Sequence, residues 1–130
     1  MMINGKLLCI DLIEGNYLDN KEIIINYLKK LPELINMKII RETELVWYDH
    51  DNKIESGFTG SVMISSSMIS LHTYPLRSYM ALDIFSCKDF STFTIIEFTK
   101  KIFGGSLKWQ EIKRGLQLFE LVGFQEAIII

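Results

Sequence analysis

The chain opens on a short, mostly apolar run, KLLCIDLI at 6–13, closed by Glu14-Gly15-Asn16, which predicts a largely buried strand. Asp19 or Asn20 then offers a helix cap, and Ile23, Ile24, Tyr27, Leu28 and Leu31 recur at intervals of three and four, the period of one helix face. Pro32 is expected to interrupt that helix or to restart it as a first-turn proline. Residues 38–48 predict a second strand and 49–53 a polar loop. Gly57 and Gly60 bracket Phe58-Thr59 as a turn, and a third strand follows over 61–64. Residues 69–74 alternate with a period of two, which puts His72 on the face of Ser70 and Tyr74 and opposite Leu71, with Pro75 ending the strand. Another strand is predicted over 79–87, a helix over 91–103 ended by Gly104-Gly105, and a last strand over 107–118. The apolar tail, 119–130, calls for a partner surface.

One strand, one helix, several strands, a helix and a final strand predict an α+β fold: a two-layer sandwich of one antiparallel sheet with helices on one face, formed by residues 1–130 as a single domain. A hydrophobic share of 48% against 23% charged residues is a globular balance and excludes a disordered chain. With a net charge of -2 the chain has no electrostatic reason to bind nucleic acid or an anionic membrane. No apolar run reaches the ~18 residues that span a bilayer, and the first residues make a poor signal peptide, so a soluble protein is expected. Cys9 and Cys87 form neither a disulfide framework nor a zinc spacing, which fits a reducing cytoplasm.

Several motifs carry little chemistry. Asp49-His50-Asp51 has metal-ligating side chains, but neighbours in sequence point apart and no further ligand follows, so a solvated loop is expected. Gly57-Phe58-Thr59-Gly60-Ser61 lacks the lysine and spacing of a phosphate loop. Phe90, Phe93, Phe98 and Phe103 read as core, because no basic patch accompanies them. His72 on a strand and Cys87 at a strand end are, taken alone, ordinary structure.

The string Thr59-Gly60, Ile64-Ser65-Ser66-Ser67, then Ser70-Leu71-His72-Thr73-Tyr74-Pro75, then Ala81-Leu82-Asp83-Ile84-Phe85-Ser86-Cys87 resembles the bacterial and archaeal S-adenosylmethionine decarboxylases. Gly5-Lys6 to Asp11-Leu12 resembles that family's opening strand and Lys113-Arg114-Gly115 its late Arg-Gly pair, so the resemblance spans about residues 5–116. It implies self-cleavage between Ser66 and Ser67: the Ser67 hydroxyl attacks the Ser66 carbonyl, and elimination leaves a covalent pyruvoyl group at the head of the second chain. His72 is then the base for processing, and Thr59 stands where a hydroxyl assists the acyl shift. The pyruvoyl ketone takes the substrate's α-amino group as a Schiff base and accepts the electrons released with carbon dioxide. The resemblance also makes Cys87 the expected proton donor, a role that suits a thiol because it can release its proton. A small-molecule substrate feeding spermidine synthesis and a homodimer of the cleaved unit are the partners the resemblance implies.

The departures fall at defined places. The family's glutamate before the serine is Ser66, the histidine after it is Met68, and the glycine after the cysteine is Lys88. The glutamate that in the family resembled holds the ribose hydroxyls is Leu76 here, so either another residue, such as Glu55 or Asp83, takes the ribose or the substrate is not S-adenosylmethionine. Tyr74 and Trp47 are further candidates for the substrate pocket, and the sequence leaves open whether Trp47 or Tyr48 stacks on an adenine. Two other readings follow: a member acting on ornithine or arginine, and a catalytically inactive binding or activating homologue. Retention of Ser67, His72 and Cys87 together speaks against the inactive one.

Overall fold

The computed structural model describes residues 4–116. Six strands, β1 (Asn4–Ile13), β2 (Glu44–Tyr48), β3 (Gly57–Ile64), β4 (Ser67–Tyr74), β5 (Tyr79–Ser86) and β6 (Ser106–Gly115), form one antiparallel sheet in the order β2-β3-β4-β5-β1-β6. Helices α1 (Lys21–Leu34) and α2 (Thr92–Phe103) cover one face. This is the two-layer α+β sandwich that the alternation predicts.

The core lies between the helices and every second strand residue: Leu8, Ile10 and Leu12 of β1, Ile69 and Leu71 of β4, and Met80, Leu82 and Ile84 of β5 are buried. Their period of two fixes the register, since a one-residue slip would turn all of them to the other face. Asn20 caps α1 through its side chain and Ser91 caps α2. Tyr27, the largest fully buried side chain, satisfies its hydroxyl on Thr99 Oγ1 at 2.6 Å and meets Phe103 edge-on at 4.8 Å, which joins the two helices over the sheet.

Several expectations are corrected. Pro32 lies inside α1, two residues before its end, where one lost backbone bond is offset by burial of the ring. The second strand is only Glu44–Tyr48, and residue 39 makes an isolated bridge to Ile64. Gly57 and Gly60 are strand residues of β3 and not a turn: a Cβ on Gly57 would stand 1.7 Å from the Thr73 carbonyl oxygen, so the close approach of β3 to β4 requires glycine. Strand β4 begins at Ser67, and Phe93 is 69% exposed, outside the core that Phe90 and Phe103 share. β6 ends at Gly115, and the tail over 119–130 lies outside the described residues.

Among the described residues one charged side chain is buried in the helix-covered layer. Lys6 is 4% exposed and donates to the Phe90 carbonyl at 2.7 Å, with Glu111 Oε1 at 3.3 Å and Asp89 Oδ1 at 3.4 Å, clamping β1 and β6 to the segment that follows Cys87. The Thr92 hydroxyl, with Lys6, holds the Glu111 carboxyl below the usual range; for Asp89 partial burial pushes up, and the Lys6 charge with the Phe90 N–H outweighs it. Carboxyls depressed in the folded state stabilise it above their unfolded pKa near ~4, and that stabilisation is lost as pH falls through the folded values. Thermal melts are therefore expected to fall steeply below about pH 4, and more shallowly in Lys6→Met. At neutral pH the same variant is expected to lose about 1–3 kcal/mol, chiefly because the Phe90 carbonyl is left buried without a donor. Parallel melting curves for the two proteins across pH would contradict the clamp.

Candidate active site

The hairpin between β3 and β4 has a two-residue loop, Ser65-Ser66, because Ile64 pairs with Ser67. Ser66 adopts φ 64°, a left-handed conformation that costs a non-glycine residue about 1–2 kcal/mol. Its carbonyl accepts the backbone N–H of Cys87 at 2.9 Å. The β4–β5 register, in which Ser67 stands opposite Ser86, produces this meeting of Ser66, Ser67 and Cys87 at one end of the sheet. Beside it a Cβ on Gly5 would lie 2.8 Å from the Cys87 Cα, so β1 reaches Cys87 only through glycine.

The Ser67 side chain points into the helix-covered layer. It is 7% exposed, and its Oγ lies 2.8 Å from Ser86 Oγ and 2.7 Å from the Sδ of Met37, which precedes β2. His72, five residues further along β4, must face the other way, and five strand rises separate the two by about 17 Å. On that open face Thr59 stands opposite His72 across the β3–β4 pair, with Thr59 Oγ1 3.1 Å from His72 Nδ1. The residues that the sequence groups around one reaction thus form two clusters within a single chain: Ser66, Ser67 and Cys87 at the hairpin, Thr59 and His72 near the far end of the strand.

A cavity of about 410 Å³ opens over the second cluster, with Tyr48, His50, Glu55, Thr59, His72 and Tyr74 in its wall. Glu55 comes from the 3-10 turn Lys53–Glu55, and its carboxylate accepts the guanidinium of Arg77 from the turn Pro75–Arg77. Tyr74 stacks on Tyr79 at 5.7 Å. Leu76 is 68% exposed and absent from the wall. Trp47 turns away, packing edge-on against Phe58 at 4.9 Å with its indole N–H on Asp49, because adjacent strand residues face opposite sides; Tyr48 takes the cavity side. Asp83 also lies off the cavity, on the open face beside Cys9, whose thiol is pushed up by burial and then by the Asp83 carboxylate. Nearby, the hydrogen bond from Tyr79 to Asp11 pushes the phenol up to about 12.

Three members of these clusters escape a reading of the sequence. His50 sits in a polar loop whose return onto the sheet no periodicity reports, Ser86 is one ordinary residue of a strand, and Met37 lies in a connection. Among the described residues no three His, Cys, Asp or Glu side chains gather as a metal site, and Asp49 pairs instead with Lys53 at 3.7 Å. No helix among the described residues is long and apolar enough to cross a membrane.

Comparison with known proteins gives the same arrangement a family. The chain is 34% identical over 119 residues, 88% of its length and 97% of the relative's, to the S-adenosylmethionine decarboxylase proenzyme of Clostridium botulinum strain Langeland. It is 36% identical over 104 residues to the protein of that name from the Loch Maree strain, covering 78% and 84% of the two chains. The Syntrophomonas wolfei protein of the same name is 30% identical over 96 residues, 72% of this chain and 76% of its own. The family model described as S-adenosylmethionine decarboxylase matches residues 6–115, and the chain belongs to that family.

Proposed function

We propose that this protein is an S-adenosylmethionine decarboxylase, a carboxy-lyase made as a proenzyme that cuts itself between Ser66 and Ser67. The observation that carries the reading is the hairpin: a nucleophilic hydroxyl one residue after a left-handed Ser66, whose carbonyl is held by the Cys87 N–H. Attack of Ser67 Oγ on the Ser66 carbonyl carbon forms the C–O bond and breaks the C–N bond, the hydroxyl proton passing to the freed amine. The Cys87 N–H points at the oxygen on which charge develops, as a preorganised oxyanion donor does. Loss of the Ser67 Cα proton then breaks the Cβ–O bond and releases Ser66 as a carboxylate; hydration with loss of ammonia leaves the pyruvoyl ketone. Once formed, that group supplies the electron sink for decarboxylating an α-amino acid.

The chain's other residues bind and move protons. Cys87, on the hairpin side, returns a proton to the product carbon. Thr59 and His72 serve processing, His72 as base with its Nδ1 oriented by the Thr59 hydroxyl. Because five strand rises, about 17 Å, separate His72 from Ser67 within one chain, the pair acts on the backbone of a second copy, His72 taking the Ser67 Cα proton, in a homodimer that joins open sheet faces carrying Met63, Met68, Phe85 and Leu7. Two free thiols suit the cytoplasm.

The substrate reading rests on the cavity. Tyr48 and Tyr74 offer aromatic faces for a flat base, and Glu55 is the carboxylate that takes the hydroxyls for which Leu76 has no acceptor. Arg77 already neutralises Glu55, which weakens it as a seat for the distal cation of ornithine or arginine but leaves an oxygen to accept from neutral hydroxyls. Glu55→Ala is expected to raise KM for S-adenosylmethionine about tenfold or more while chain cutting is unchanged; equal KM values would remove Glu55 from the pocket. The reading as a whole is tested by intact mass and substrate comparison. Purified protein should consist of fragments 1–66 and 67–130 and release carbon dioxide from S-adenosylmethionine. An uncut chain, or release only from ornithine or arginine, would overturn it.

A further inference from the structure

Ser86 lies one strand away from Ser67 in a register pair that turns both side chains into the helix-covered layer. It is fully buried, and its Oγ accepts the backbone N–H of Lys88 at 2.9 Å. That bond fills one acceptor site and fixes the hydroxyl, leaving its other lone pair facing Ser67 Oγ at 2.8 Å. The only other polarisable group against Ser67 Oγ among the described residues is the Met37 thioether, a weak acceptor. His72 cannot reach this side of the sheet from within the chain.

We propose that Ser86 orients the nucleophile of self-processing: its hydroxyl accepts the Ser67 O–H, sets the Ser67 rotamer and leaves the Oγ lone pairs free for the Ser66 carbonyl. The proposal rests on the reading that the chain cuts itself at Ser66-Ser67, and it assigns Ser86 to the first step, the acyl shift. A hydroxyl that donates a hydrogen bond gains electron density on oxygen, and a single fixed rotamer removes the entropy of searching for the attack geometry. Without Ser86 the Ser67 hydroxyl would keep only the thioether, buried in an apolar layer, and would rotate among its staggered positions. Because Ser86 is held by a backbone N–H two residues on, past Cys87, the same short segment fixes both the oxyanion donor and the group that aims the nucleophile.

The test compares the rate at which freshly synthesised full-length chain becomes two fragments in the wild type, Ser86→Ala, Ser86→Thr and Ser86→Val, with melting temperature measured on each. Thr keeps the hydroxyl and Val has nearly the same volume without it, so this pair separates hydrogen bonding from packing. Ser86→Thr is expected to cut within about tenfold of wild type, and Ser86→Ala and Ser86→Val to slow by about a hundredfold. Hydroxylamine, which cleaves esters and spares amides, adds a second readout: it should not speed cutting of Ser86→Val, since the ester never accumulates. Equal rates for the Thr and Val variants, or fast hydroxylamine cleavage of Ser86→Val, would overturn the assignment. Wild type that stays uncut would instead defeat the self-cleavage reading on which it rests.

Discussion

Ser67→Ala is expected to leave the protein as one uncut chain without decarboxylase activity, whatever the incubation time. The loss is complete rather than partial because the Ser67 oxygen forms the new bond and its carbon skeleton becomes the ketone; no neighbouring group can supply either. Ser65 and Ser66 cannot substitute, since both lie in the hairpin loop before the bond to be cut, and the ladder that presents a buried hydroxyl starts at Ser67. The fold should survive: alanine at a position 7% exposed removes one hydroxyl and leaves Ser86 with its Lys88 partner. Stability is expected to change by no more than about 1 kcal/mol. Native melting together with an intact mass of the full chain is the expected pair of results. A fragment pattern like that of wild type would place the cut elsewhere.

His72→Ala is expected to slow cutting by roughly 10²–10⁴-fold, the range that one general base contributes. The more informative result comes from mixing. Within a chain His72 stands about 17 Å along β4 from Ser67, so the intact His72 of one chain is expected to take the Ser67 Cα proton of another. His72→Ala co-produced with Ser67→Ala should then be cut near the wild-type rate, although alone it is cut slowly and Ser67→Ala not at all. If the two assort at random into dimers, about half of the His72→Ala chains sit beside a partner carrying an intact histidine. Intact-mass analysis with distinguishable tags reads that fraction directly. Absence of cutting in the mixture would mean that the histidine and the serine must belong to the same chain.

The elements themselves were largely legible in the sequence. The alternation over 69–74, the helical spacing from Ile23 to Leu31 and the Ser91 start of α2 all report which side chains avoid water, and burial against the helices decides the same question in the fold. Element ends were less legible. Gly57 and Gly60 read as a turn because glycine usually marks one, whereas here they admit the Thr73 carbonyl and the α1 side chain Leu28. Residues 38–43 look like strand by composition but mostly leave the ladder, since pairing depends on what lies opposite.

The sequence by itself determined the chemistry available: one serine after a two-serine loop, a histidine five places on, a cysteine twenty places on, and a leucine directly after His-Thr-Tyr-Pro. That the serine and the histidine face apart emerged only with β4 beginning at Ser67. Only the tertiary structure decided which groups surround each of them. Antiparallel register set Ser86 against Ser67 and Thr59 against His72, and it brought the Cys87 N–H to the Ser66 carbonyl. The return of the loop over 49–56 placed Glu55 and His50 beside Tyr74. Those pairings join residues far apart along the chain, and hydrophobic periodicity is a property of near neighbours, so they become visible only once the sheet is assembled.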